Sequence, residues 1–309
     1  MQTSQHFSNG PPDTERETIG LIGIGLVGTA LAENLLAAGY QVIGFARSEA
    51  SREKLVRLGG RAAAAPAAVA AEASRVILSL PDSDVVDQIV SAPGGLLAAG
   101  SGLRLVLDTT TGEPERTEAL AARCAARGVL FADAPISGSS EQIRRRQGVV
   151  LVGGERAAYD ACLDLIRAVA DRHYYLGGPG SGSRAKLASN LILGLNRLAL
   201  AEGLVFAERL GLDLAAFLEM LKTTPAYSCA MDVKGEKMLR GDFAPQSKVG
   251  QHHKDLRIIL ECAAKAGQEL PLAALHKEIL EQAMAAGEGD LDTSVVLQGL
   301  RRMRRREPA

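Results

Sequence analysis

The chain has 309 residues, 47% hydrophobic and 23% charged, with a formal net charge of −1. That length buries a large core and usually divides into two domains, and the balanced charge gives no electrostatic case for a nucleic-acid or membrane partner. Cys124, Cys162, Cys229 and Cys262 form no C-x-x-C pair and have no histidines at metal spacing, so free thiols in a reducing compartment and no metal site are expected. Residues 1–17 lack the apolar segment of a signal peptide and read as a disordered tail. No run of 18 or more apolar residues suggests a membrane span, and a cytoplasmic protein is expected.

Residues 18–48, "TIGLIGIGLVGTALAENLLAAGYQVIGFARS", read as strand, glycine turn, helix and strand within about thirty residues. Gly23, Gly25 and Gly28 have G-x-G-x-x-G spacing, with Leu26 and Val27 between the last two. In this context the first glycine makes a tight turn and the second lets the backbone approach a pyrophosphate. The third lets the helix pack on the strand, with its N-terminus facing the phosphates. An acidic residue ending the second strand would hold the ribose 2′-hydroxyl of NAD. Here Arg47 and Ser48 stand there, with Arg52 nearby and Glu49 two residues late. A guanidinium suits a 2′-phosphate through charge-assisted hydrogen bonds, so NADP is favoured over NAD.

Further buried-strand candidates follow at "RVILSLPD" (75–82), "LRLVLDTTT" (103–111), "GVLFADAPISGSS" (128–140) and "GVVLVGG" (148–154). Alanine-rich stretches at 61–73 and 115–126 are expected to be helices between them. After about residue 180 the pattern becomes helical. Residues 184–211 form one long apolar helix with too few polar residues for a simple surface helix, so it should be buried between domains or subunits. Four more helices are expected at "AAFLEMLKTT", "DLRIILECAAKAG", "LPLAALHKEILEQAMAAG" and "TSVVLQGLRRMRRR". The last carries the arginine cluster Arg301, Arg302, Arg304, Arg305 and Arg306, read as a solvated helix end. The cluster "GGPGSGS" (177–183) marks the domain boundary. The expected fold is α/β: a Rossmann-type doubly wound sheet over 18–180, then an all-helical domain over 181–309, joined by the long helix.

Four motifs in order carry a resemblance: the glycine fingerprint, "DAPISGS" (133–139), "GSGSRAKLASN" (180–190) and "HHKDL" (252–256). Together the chain resembles the β-hydroxyacid dehydrogenase family, which includes 3-hydroxyisobutyrate dehydrogenases and semialdehyde reductases, over residues 18–303. The resemblance implies hydride transfer between a nicotinamide and a small 3-hydroxy acid, or the reverse reduction of an aldehyde acid. It implies Lys186 as the general acid/base, with Asn190 at i+4 on the same helix face. A lysine at a helix N-terminus opposes the macrodipole, which already sets Lys186 apart. The substrate carboxylate is assigned to Ser137, Gly138 and Ser139, whose backbone N–H groups and hydroxyl suit an anion.

Ser139 replaces a family glycine and adds a hydroxyl to the pocket. Arg144, Arg145 and Arg146 replace small residues, either as a solvated basic helix end or with one arginine reaching a second anionic substrate group. Leu80, Pro81, Thr111 and Lys254 match positions around the cofactor, and Asp255 is expected to hold structure. Homodimers or homotetramers are implied. An imine reductase-like enzyme and a non-catalytic dinucleotide-binding protein share the fold, but both usually lack the lysine that this chain keeps.

Overall fold

Strand β1 (Thr18–Ile22) is buried from its second residue onward and sits at the centre of the sheet. The computed structural model describes residues 17–98 and 102–303. The expected tail therefore lies outside the described residues except for Glu17, whose carboxylate pairs with Arg75. The remaining strands are β2 (Gln41–Phe45), β3 (Arg61–Ala62), β4 (Arg75–Leu78), β5 (Leu105–Asp108), β6 (Leu130–Asp133), β7 (Ile136–Ser137), β8 (Val149–Gly154) and β9 (Arg172–Tyr175). Their order is β3-β2-β1-β4-β5-β6-β8-β7, with β9 on β8. From β3 to β6 every pairing is parallel. Sequence order reverses between β2-β1 and β4, the switch point at which a doubly wound sheet binds its ligand.

Helices α1 (Leu26–Ala37), α2 (Glu49–Arg57), α3 (Pro66–Glu72), α4 (Ser83–Ser91), α5 (Pro114–Ala125), α6 (Ser140–Arg144) and α7 (Arg156–Val169) cover the sheet. One face packs Leu31 and Leu35 of α1 and Leu165 and Ile166 of α7 over Leu21 and Leu107. The other packs Val69, Val86, Val90 and Leu120 over Val76, Leu78 and Val106. Strands sandwiched this way read as continuous apolar runs, which is why the sequence reveals them. Two short strands do not read so. Arg61–Ala62 is a strand rather than the start of an alanine-rich helix, which begins only at Pro66. β9, "RHYY", is largely exposed and lacks the apolar signal. β8 runs antiparallel to β6, so the sheet is mixed beyond the parallel core.

The second half is helical: α8 (Ser181–Arg209), α9 (Leu214–Lys222), α10 (Glu236–Arg240), α11 (Val249–Lys265), α12 (Pro271–Ala285) and α13 (Val296–Arg302). A π-helical turn, Met231–Gly235, precedes α10, and a 3-10 turn, Thr293–Val295, precedes α13. α8 begins at Ser181, three residues before the expected start, and is 29 residues long. It is the one helix among the described residues long and apolar enough to cross a membrane, yet 44% of its most apolar window is buried inside the protein. Leu198 and Leu204 of α8 pack with Leu218, Met238, Ile279 and Leu297, and Leu187 packs with Val249, Leu256 and Leu280. The helical half is therefore built around α8.

A buried ion pair closes the same half. Lys234 Nζ donates to both carboxylate oxygens of Asp292 at 2.9 and 2.8 Å, and Asp292 also accepts from the backbone N–H groups of Gln246, Ser247 and Ser294. Such a pair offsets its desolvation only when its lone pairs are filled, as they are here. Arg301 and Arg302 pair with Glu208 and Glu288, as expected of a solvated helix end. Arg304, Arg305 and Arg306 lie outside the described residues.

Candidate functional site

The glycine turn lies where β1 ends, at the switch point. Gly23 has φ +96°, and a β-carbon there would collide with the Ser79 carbonyl oxygen. A β-carbon at Gly28 would collide with the Gly23 carbonyl oxygen. The protein itself therefore requires both glycines. Gly25 differs: φ is −83°, and a β-carbon would meet nothing within 4 Å. Gly25 is the N-cap of α1, with no side-chain cap and no acidic residue in the first turn. The helix N-terminus thus presents N–H groups and its positive dipole end over an approach kept clear of side chains, which fits a dinucleotide pyrophosphate. Leu26, exposed, and half-buried Val27 form the first turn beside it.

β2 pairs in register with β1 up to Ile22↔Phe45, which sets Arg47 two residues beyond the glycine-turn end of the sheet. Arg47 is exposed and, among the described residues, its guanidinium has no hydrogen-bond or ion-pair partner. Arg52 is anchored instead, donating to the Ala46 and Arg47 carbonyls at 2.7 and 3.0 Å. Ser48 caps α2, accepting from Ser51 N–H at 3.2 Å. Arg47 is thus a cation held on an ordered strand end.

The lysine is set by the start of α8. Gly180, with φ +81°, is the N-cap. Its N–H and that of Ser183 donate to the two oxygens of Asp133 at 2.9 and 2.7 Å. A buried carboxylate at the end of β6 thereby takes the place of a local capping side chain. Gly182 lets the helix rest on the sheet, because a β-carbon there would collide with the Leu151 carbonyl. Lys186 is the sixth residue of the helix and buried, and its Nζ donates to the Ile136 carbonyl at 2.8 Å. Lying past the first turn, it escapes most of the macrodipole, which falls off within that turn. Burial is what pushes its pKa down to about 8, helped by the Lys254 charge and opposed by Asp255. Asn190 Nδ2, one turn on, donates to Asp255 Oδ2 at 2.9 Å.

Ser137 ends β7 beside the Ile136 carbonyl that holds Lys186. Gly138 has φ +150°. Ser139 does something the sequence reading did not anticipate. Its hydroxyl accepts from Gln142 N–H at 3.3 Å and its N–H donates to Gln142 Oε1 at 2.8 Å, a capping box on α6. The capping box occupies the Ser139 backbone N–H and one lone pair of its hydroxyl, so the donors left here are those of Ser137, Gly138 and the Ser139 O–H. The three arginines also resolve. Arg144 pairs with Glu33 and Glu141, Arg145 with Glu141 and Arg146 with Asp171, all on the surface. Their ion pairs are those of a solvated helix end.

On the opposite wall, Thr110 Oγ1 accepts from Leu80 N–H at 3.2 Å, tying the 80–81 loop to the 109–111 loop. Lys254 of α11 crosses from the helical half. Its Nζ donates to the Pro81 carbonyl at 3.1 Å and to the Thr111 carbonyl, and pairs with Asp255 at 3.0 Å. Gln251 Nε2 donates to the Pro81 carbonyl at 3.0 Å. Pro81, Thr111, Lys254, Asp255 and Asn190 therefore form one connected run, with Lys186 one helical turn before Asn190. Asp108, at the end of β5, is buried and pushed up to about 7 by burial, with Asp133 adding to the rise. Asp133 and Gly182 are the site residues that sequence reasoning missed. Asp133 opens the quoted "DAPISGS", but its partner lies 47 residues on. His253 stands 3.4 Å from Glu281, while its neighbour His252 is buried.

Comparison with known proteins agrees with this layout. The NAD binding domain of 6-phosphogluconate dehydrogenase matches residues 18–177, and the NAD-binding domain of NADP-dependent 3-hydroxyisobutyrate dehydrogenase matches residues 180–300. The chain is 32% identical to 2-(hydroxymethyl)glutarate dehydrogenase of Eubacterium barkeri, covering 91% of this chain and 93% of that one. It is 32% identical to 3-sulfolactaldehyde reductase of Escherichia coli, covering 92% and 95%. The solved structure of Mycobacterium tuberculosis 3-hydroxyisobutyrate dehydrogenase with L-serine superposes with a TM-score of 0.82 at 26% identity, covering 93% of this chain and all of that one.

The contrast among the glycines is testable. Gly25→Ala should melt at the wild-type temperature without ligand yet lose the stabilisation that NADP(H) confers. Gly23→Ala, strained at φ +96°, should melt lower by itself. Thermal unfolding with and without cofactor checks both, and a Gly25→Ala protein that binds cofactor normally would contradict the open-approach argument.

Proposed function

The chain belongs to the β-hydroxyacid dehydrogenase family, and from that premise we propose that it is an NADP-preferring enzyme in which Lys186 exchanges the proton. The coarser activity is plain: it is an NAD(P)-dependent hydroxyacid/semialdehyde dehydrogenase acting on CH–OH donors. In this reading residues 18–180 hold the cofactor and residues 181–309 supply the substrate and oligomerisation surfaces. The single observation that carries the reading is Lys186: buried, lowered toward neutrality, and fixed beside Ser137 by the Ile136 carbonyl.

The bound nicotinamide cofactor supplies or takes the hydride at the hydroxyl-bearing carbon. The residues of this chain bind, orient and move a proton. Gly23, Gly25, Leu26, Val27 and Gly28 receive the pyrophosphate at the α1 N-terminus, and Leu80, Pro81 and Thr111 wall the nicotinamide end. Arg47 and the backbone around Ser48 receive the 2′-phosphate, supported by the unpartnered Arg47 guanidinium at the end of β2. Ser137, Gly138 and the hydroxyl of Ser139 orient the substrate carboxylate. Lys186 donates a proton from its ammonium to the carbonyl oxygen in reduction and accepts one as neutral amine in oxidation. A pKa near 8 populates both forms close to neutrality, which suits a reversible reaction. Asn190, held by Asp255, hydrogen-bonds the substrate oxygen or the amine. Lys254 bridges Pro81 and Thr111 and so holds the helical half over the cofactor side.

The oligomer is proposed on the outward face of α8. Ile192, Phe206 and Leu210 are each more than 60% exposed, and with Asn196, Ala199 and Gly203 they recur at spacings of four and three residues, the seam of a helix that packs against another helix. A second copy of this chain is the occupant.

Four outcomes are expected. NADPH should raise the melting temperature at concentrations where NADH does nothing, and Arg47→Ala should abolish the difference; equal shifts in the wild type would sink the NADP preference. Lys186→Met should keep cofactor-induced stabilisation but lose roughly 10²–10⁴-fold in turnover. In the wild type kcat/KM for reduction should fall above pH about 8, where the ammonium is lost, while that for oxidation should rise and level off there; a profile flat from pH 6 to 10 in both directions would remove Lys186 from the role. Light scattering should give a multiple of 32.4 kDa for the wild type and a smaller assembly for Phe206→Glu; unchanged mass in the variant would place the interface elsewhere.

A further inference from the structure

The face of α8 that carries Lys186 does not end at Asn190. It continues through Gly194 and Arg197, at i+8 and i+11 from the lysine, which return to the same side of the helix. Arg197 is 5% exposed and makes no hydrogen bond to any described residue; its Nε and Nη2 are buried without a partner. Two histidines packed against Gly194, one turn before it, lie within reach of its charge. His252 of α11 and His276 of α12, 6% and 0% exposed, have ring centroids 5.1 Å apart. His252 Nε2 and both nitrogens of His276 are likewise unpartnered. Gly194 makes this packing possible: a β-carbon there would come to 2.5 Å from His252 Nε2 and 3.0 Å from His276 Cε1.

The charges do not balance. A guanidinium stays protonated, and burial lowers the Arg197 pKa only to about 10. The carboxylate whose charge acts on it is Asp292, which is already shared by Lys234 and three backbone N–H groups. Both imidazoles are held neutral, by burial first and by the Arg197 charge. Two cations and one carboxylate thus meet at this junction, and an uncompensated buried charge is costly by several kcal/mol. The groups around it are a guanidinium edge with two N–H donors and two imidazoles each able to supply one.

We propose that Arg197, His252 and His276 form an anion-binding position inside the helical half, continuous with the helix face that carries Lys186 and Asn190. It takes one compact anionic group, halide-, carboxylate- or sulfonate-sized, on the Nε–Nη2 edge of the guanidinium and the imidazole N–H groups. Two sources share that chemistry: a free inorganic anion, or a second anionic group on the substrate. Arg197 lies seven residues beyond Asn190, about 10 Å along the helix axis, and long helical side chains lean back toward the N-terminus, which shortens that gap. The substrate source rests on the function proposed above; the inorganic source does not. Either way the group would fix His252, which stands one turn before Asp255 and two residues before Lys254.

The test uses the full chain. Thermal unfolding is followed while sodium chloride replaces the sodium salt of a bulky buffer anion at constant ionic strength, in the wild type and in Arg197→Met. In parallel, kcat/KM is compared for 3-hydroxy acids that differ by a second anionic group. An inorganic source predicts a saturable rise of about 2 °C or more in the wild type, lost in Arg197→Met, with substrate preference unchanged. A substrate source predicts that preference for the dianion falls at least tenfold in the variant. Arg197→Met should also melt no lower than the wild type in the bulky salt, since an unpaired buried charge has become apolar. If replacement of Arg197 leaves both the anion response and the preference as they are in the wild type, the proposal is overturned. Should Arg197→Met not fold, Arg197→Lys keeps the charge but not the fork, and at least tenfold weaker apparent anion affinity is expected; unchanged affinity overturns the proposal equally. A protein that turns over no hydroxy acid yet shows the Arg197-dependent chloride response would refute the functional reading alone.

Discussion

The site depends on one buried carboxylate. Asp133 stands at the end of β6 and accepts hydrogen bonds from the N–H groups of Gly180 and Ser183, two of the N–H groups that a helix start leaves without an intrahelical partner. Gly153 and Gly182 let the backbones meet: a β-carbon on Gly153 would stand 2.6 Å from both Asp133 Oδ1 and Gly182 N. The first turn of a 29-residue helix is thereby fixed directly on the sheet. Everything on its inner face inherits that position: Lys186 near Ser137, Asn190 against Asp255, and Gly194 against the two histidines. Burial of Asp133 by itself raises its pKa, while the hydrogen bonds from Ser183 and Gly180 favour the charged form, so capping and ionisation support each other.

A second constraint acts from the other side. α11 carries Gln251, Lys254 and Asp255 close together; Gln251 and Lys254 tie the two halves through the Pro81 and Thr111 carbonyls, while Asp255 binds Asn190 within the helical half. The same helix also pairs Arg257 with Glu113 and Lys265 with Glu115 on the first half. Lys254 serves electrostatics as well as structure, because its charge contributes to holding the Lys186 pKa down.

Much of this was legible in the chain. Gly23 and Gly28 are demanded by collisions within the fold, and such demands leave a fixed spacing. The parallel strands announce themselves because both faces are covered. Lys186 and Asn190 share a helix face by arithmetic alone. Other features were hidden for specific reasons. β9 is exposed and has no apolar run. Ser139 is a pocket residue by position but a capping-box residue by its bond to Gln142. The triplet Arg144–Arg146 looked available until Glu33 and Asp171, distant in sequence, came to lie beside it.

The sequence by itself determined the dinucleotide turn, the alternation of strands and helices followed by helices alone, the long helix and the lysine upon it, because each is written in the spacing and type of residues close together in the chain. Only the tertiary structure decided which charges are neutralised. Asp133 finds its donors 47 and 50 residues away, Arg144, Arg145 and Arg146 find their acids, and the Arg197 side chain finds none among the described residues. Pairing of charges depends on which distant elements share one interior, and local spacing carries no record of that.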